Sequence, residues 1–248
     1  MSDFSILQSG NVYFYYRPKV QHHEAHNLDD VQRFFIILKP FNKAEYILII
    51  IGKKFLPDSD ETFFGFIDSI SKSQDEVMDI LSEYDYSTKT RGDRELPPAR
   101  CLGEGKYLIV HHDNHAHLVY QLTEPSKIGE VQKDFNLKIE DSFIISVKNP
   151  TKHSPINQGL PDEEKAHFPK TLQSKFHDHR FASLESINFL DYKGAELLFI
   201  ARGKKDLEKY HSQIEQSLSK ITQEDILQKY KEKDESELIN PALKNEWV

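Results

Sequence analysis

The sequence predicts an α+β fold, a mainly antiparallel sheet or pair of sheets covered by helices and arranged as two related β-rich halves. Three observations carry that expectation. Short apolar and aromatic runs recur between turn-forming residues, as the strands of a half-buried sheet do. Two other stretches space their apolar residues by three and four, the period of a helix packed on one face. One strand-like phrase also occurs twice: AEYILIIIGKKFL from Ala44 to Leu56 and AELLFIARGKKDL from Ala195 to Leu207 are identical at seven aligned positions.

In chain order, Val12 to Arg17 is aromatic on both faces and stops at Pro18, which cannot donate to a ladder. RFFIILK (Arg33 to Lys39) and EYILIIIGK (Glu45 to Lys53) follow as the arms of a hairpin across Pro40 and Asn42. After the acidic entry at residues 58–61, Phe63 to Ile70 reads as a short helix with an aromatic face. Val77, Ile80, Leu81 and Tyr84 mark a second helix, for which Ser73 and Glu76 form a capping box. Ser87 to Gly105 reads as irregular. Tyr107 to Val110 and Leu118 to Leu122 form another hairpin, and Ser142 to Lys148 and Ala195 to Arg202 are later strands.

Between those last two lies an insertion, Asn149 to Tyr192, with one helix around Leu172 and Phe176. Leu207, Tyr210, Ile214, Leu218 and Ile221 then trace a long amphipathic helix, and Thr222 caps a further one bearing Ile226, Leu227 and Tyr230. The repeat suggests one globular domain over 1–230 built by internal duplication, about 11–85 and 105–230. Residues 231–248 read as a charged, frayed tail.

Composition narrows the function classes. A chain of 248 residues, 38% hydrophobic, buries a core without staples, and its single cysteine, Cys101, forms no internal disulfide. The amino-terminal residues lack the basic and apolar character of a secretory signal, and the longest apolar run, Tyr46 to Ile51, is too short to span a bilayer. The expected setting is cytoplasmic. A net charge of -8 argues against broad binding to nucleic acid or anionic membrane. No GxGxxG, GxSxG, HExxH or CxxC pattern occurs, so the commonest nucleotide, serine-hydrolase, zinc-protease and thiol-redox chemistries have no motif here.

Histidine is the unusual residue, with 12 copies and two tight groups. One holds His22, His23, Glu24 and His26; the other runs from His111 to His117. Imidazoles beside carboxylates are ligands for zinc, iron or manganese. If Asp113 and Asn114 form a two-residue turn, His112 pairs with His115, Val110 pairs with His117, and His112, His115 and His117 share one face. His22, Glu24 and His26 are candidates to complete a metal shell if the two hairpin ends meet. Anion-binding candidates are Arg91, Arg94 and Arg100, with Lys53 and Lys204 at the two Gly-Lys-Lys corners, because arginine grips phosphate bidentately. Two function classes follow. One is a soluble intracellular binding or interaction protein, engaging a protein partner or a second copy of itself through its carboxy-terminal helix. The other is a metal-dependent hydrolase using the histidine-rich hairpin.

Overall fold

The structure is a computed structural model that describes residues 4–90, 92–154, 159–201, 207–222 and 236–248. Its strands are β1 (Ser5–Pro18), β2 (Val31–Pro40), β3 (Tyr46–Ile51), β4 (Thr62–Ser71), β5 (Tyr84–Thr88), β6 (Gly92–Leu96), β7 (Arg100–His112), β8 (His115–Glu124), β9 (Glu140–Lys148), β10 (Phe181–Ser183) and β11 (Glu196–Ile200). Its α-helices are α1 (Gln74–Leu81), α2 (Glu130–Asp134), α3 (Lys170–Gln173), α4 (His211–Ser219) and α5 (Asn240–Lys244). Among the described residues no helix is long and apolar enough to cross a membrane.

The α+β expectation is corrected by the strand pairing. β1, β2, β3 and β4 pair in succession, β4 pairs with β11, β11 with β9, β9 with β8, β8 with β7, and β7 returns to β1. Eight antiparallel strands thus close on themselves, and the mostly β molecule is a barrel rather than a sheet beneath a helical layer. Closure leaves no free edge among these eight strands, which removes the usual template for aggregation. β10 pairs with Ser146 to Lys148 of β9, just beyond Ile145 where β8 stops.

Side chains alternate along each strand, and here both faces are buried. Val12, Phe14 and Tyr16 of β1 point inward with Phe34, Ile36, Ile49, Tyr120 and Phe143, filling the barrel with apolar and aromatic side chains. Tyr13 and Tyr15 point outward into a second cluster with Phe35, Ile37, Val77, Leu81, Ile239 and Ala242, beneath α1 and α5. That double burial is the physical reason β1 carries aromatics on both faces. A third cluster lies on the outer face of β7 and β8, where Leu108, Val110 and Val119 meet Leu207, Tyr210, Ile214, Leu218 and Ile221. The apolar stripe of the expected long helix is therefore covered by its own barrel, first through a 3-10 turn at Glu208–Tyr210 and then through α4. Burying each such aliphatic side chain contributes about 1.5–3 kcal/mol.

α1 forms where the capping signal places it: the Ser73 hydroxyl accepts from the Glu76 amide, and the Glu76 carboxylate accepts from the Lys72 amide. The buried Arg17 guanidinium closes its other end by donating to the carbonyls of Ile80 and Ser82, and it also donates to Pro97. Tyr84 lies past the helix and opens β5.

Other expectations are corrected as well. Phe63 to Ile70 is not helical; it is most of β4, with Phe63 and Ile67 turned inward and Gly65 between them, leaving room for Phe199 to approach. The stretch read as irregular, Ser87 to Gly105, holds the end of β5, all of β6 and the start of β7. The two AE-to-KK phrases are strands, but they occupy different stations. β3 is the third stave of the run β1 to β4, whereas β11 is the last stave of the run β7, β8, β9, β11, and β4 pairs with both β3 and β11. β3 is followed by a strand, β4, rather than by the helix expected there. Residues 236–248 are packed: Ile239 and Ala242 are fully buried, and Trp247 lies against Tyr16 and Phe135 while its indole donates to Asp134. The helix expected after Thr222 lies outside the described residues.

The insertion forms a helical turn from Lys170 to Phe176, as expected around Leu172. It also covers a buried ion pair on the outer face, Lys148 Nζ to Glu196 Oε2 at 2.7 Å, with the second oxygen of Glu196 accepting from the Leu160 amide at 3.0 Å.

Candidate functional site

The histidine hairpin forms with the expected register. Asp113 and Asn114 take positive φ, 44° and 69°, as a tight hairpin turn demands, so His112 faces His115 and Val110 faces His117. His112 and His117 are buried and His115 is exposed. The His112 and His117 rings stack with centroids 4.6 Å apart and planes 13° from parallel, and Tyr210 tilts over His112 at 5.2 Å. Among the described residues, both ring nitrogens of His117 and Nε2 of His112 have no hydrogen-bond partner, while His112 Nδ1 lies 3.4 Å from Asp113. Burial, with the neighbouring His112, His115 and His111, pushes the His117 pKa down to about 3. A metal must lie in the plane of each imidazole about 2.0–2.1 Å from its nitrogen. Two nearly parallel stacked rings share no such point. Among the described residues no three His, Cys, Asp or Glu side chains are grouped to hold a metal.

The other histidine group does not reach this one. Ser5, at the start of β1, pairs with His111, whereas His22, Glu24 and His26 follow Pro18 at the far end of the same strand. Fourteen residues of strand separate the two ends by roughly 40 Å. His23 lies 3.4 Å from Glu95, and His26 lies 3.5 Å from Glu24 on an exposed loop. The anion candidates are likewise dispersed. Arg100 is buried and donates to the His23 carbonyl, half-buried Arg94 donates to Gln21, and Lys53 is exposed past the end of β3. Arg91 and Lys204 lie outside the described residues.

A different site emerges between α4 and the neighbouring strands β8 and β9. A slot of about 110 Å³ opens there, with Val119, Leu207, Ile214 and Leu218 among its lining. Glu140, Asp141, Glu208 and Glu215 also line it, together with His211, and among the described residues no lysine or arginine does. Asp141 is held 3.1 Å from Lys138, and His211 lies 3.4 Å from Glu215. Ser142 lines the slot too; it is 5% exposed, and its hydroxyl has no partner. The apolar stripe of α4 is legible in sequence, and the acidic residues beside it were the signal to notice. That Glu140 to Ser142 face the same opening follows only from the pairing of β8 with β9.

No protein-family model, curated protein or solved structure matches this chain.

Proposed function

We propose that the chain is a non-catalytic interaction protein of the cytoplasm that captures a basic side chain of a partner polypeptide in the slot beside α4. One observation carries this reading: an apolar opening lined, among the described residues, by four carboxylates and no lysine or arginine, with the buried Ser142 hydroxyl left for an incoming donor. The volume suits one alkyl chain and falls below the roughly 300–1,000 Å³ of small-molecule sites. Lysine and arginine match it, because their methylene stems lie on apolar surface while the charged head stays among acceptors. Glu140, Glu208 and Glu215 are exposed, so they steer a cationic partner at low salt and lose reach as the Debye length shortens.

Isothermal titration of a short peptide with one central lysine, against the same peptide carrying norleucine or glutamate there, tests the proposal. The lysine peptide is expected to bind, more weakly at 0.5 M salt, and Glu208→Lys with Glu140→Lys is expected to remove binding without lowering Tm. Equal binding of the lysine and norleucine peptides would overturn it.

A metal at the histidine hairpin is a second reading, supported by the three unpartnered ring nitrogens of His112 and His117. It requires one ring to turn out of the stack so that His115 can join. Elemental analysis of tag-free protein grown with zinc, iron and manganese decides it: one equivalent of metal, lost in His115→Ala/His117→Ala, supports it, and none removes it.

A further inference from the structure

β5 and β6 form a two-stranded sheet of their own, and the two faces of this ribbon differ. Tyr84 opposes Leu96 and Tyr86 opposes Arg94, so these four share one face, while Asp85, Asp93 and Glu95 belong to the other. The Tyr84 and Tyr86 rings stack at 6.2 Å, 8° from parallel, and Tyr84 is 62% exposed, the most open of the large apolar side chains at the surface.

The tyrosine face borders a groove of about 350 Å³ whose lining includes Arg17, Arg33, Gln32 and Asp68. That volume lies within the range of small-molecule sites. Arg17 is immobilised at its base, donating at 2.5–3.0 Å to three backbone carbonyls. Those partners are neutral, and neither Arg17 nor Arg33 forms an ion pair among the described residues. Burial first, then the charge of Arg33, hold the Arg17 pKa down to about 10. Among the described residues, Asp68 is the one carboxylate in the lining.

We propose that this groove binds an aromatic anion, its ring stacked on Tyr84 and its anionic group held by Arg33 with Arg17 behind. Aromatic faces accept planar rings at about 1–3 kcal/mol per stacked base, and the exposed guanidinium offers a two-pronged grip on phosphate or carboxylate. Gln32 is placed to exchange hydrogen bonds with a polar ring edge. A nucleotide has this chemistry, whether free or at the end of a single strand. The net charge of -8 disfavours the polymer, so the free form is the expected ligand.

Titration of the full chain with adenosine monophosphate, adenosine, inorganic phosphate and a four-nucleotide single-stranded RNA tests the site. The mononucleotide is expected to bind saturably, at least tenfold tighter than adenosine or phosphate alone. Tyr84→Ala and Arg33→Ala are each expected to weaken it at least tenfold with Tm unchanged, since both side chains are exposed. RNA binding no tighter than the mononucleotide assigns the free ligand as the source; tighter RNA binding, lost in the same variants, assigns a strand end and still supports the site. Absence of saturable binding by either ring-bearing phosphate, or binding indifferent to both substitutions, would overturn the proposal.

Discussion

His112 and His117 lie face to face on neighbouring strands, ring centroids 4.6 Å apart, with three of their four ring nitrogens unpartnered among the described residues. In that setting His117 resists protonation. The His117 pKa falls from 6.5 to about 3 because burial, then His112, His115 and His111, penalise the charged form. Above pH 6.5 the ring is neutral in both folded and unfolded chains and contributes no pH dependence. Below it the unfolded chain takes up a proton that the folded chain refuses, so stability falls by about 1.4 kcal/mol per pH unit until the folded pKa is reached. The loss at pH 5 is on the order of 2 kcal/mol. Urea midpoints at pH 7 and pH 5 check this: the native chain is expected to lose more than His117→Phe, and parallel losses would contradict it.

The turn beneath that pair offers a second expectation. Asn114 sits at φ 69°, a conformation open to asparagine and glycine and closed to β-branched residues. Asn114→Gly is expected to leave the melting temperature nearly unchanged, whereas Asn114→Val costs about 1–3 kcal/mol in strain. Thermal unfolding of the two variants reads the difference directly, and equal melting temperatures would place the strain elsewhere.

Much of the barrel was legible because its strands are written in apolar runs, and the His112 to His117 register was legible because a two-residue turn fixes pairing locally. β4 was misread because Phe63, Phe66, Ile67 and Ile70 also fit a helical period, and only Gly65 between inward Phe63 and Ile67 signals the strand. β5 and β6 were missed because they pair only with each other and carry few apolar residues. Closure itself rests on β1 meeting β7 and β4 meeting β11, contacts far apart in sequence that no local period encodes. For the same reason the slot beside α4 was invisible, and whether the two histidine groups meet could not be read from sequence, since only the pairing of β1 with β7 places them at opposite ends.

The buried pair between Lys148 and Glu196 makes a third expectation. Removing one partner strands a charge in a dry site, so Glu196→Leu or Lys148→Met alone is expected to destabilise by about 3–5 kcal/mol. The double variant Lys148→Met/Glu196→Leu is expected to recover much of that loss, because no unpaired charge remains. Denaturant unfolding of all three forms a double-mutant cycle. Additive losses would show that the two side chains are not coupled.

The claim that function resides in the slot beside α4 is tested most directly by where a basic peptide binds. Nuclear magnetic resonance mapping of amide shifts, with the single-lysine peptide added to the full chain, gives that location. The account predicts perturbations confined to Val119–Gln121, Glu140–Ser142 and Leu207–Leu218, fading in Glu208→Lys. Perturbations centred on the histidine hairpin or the β5–β6 ribbon, with the slot unmoved, would contradict it.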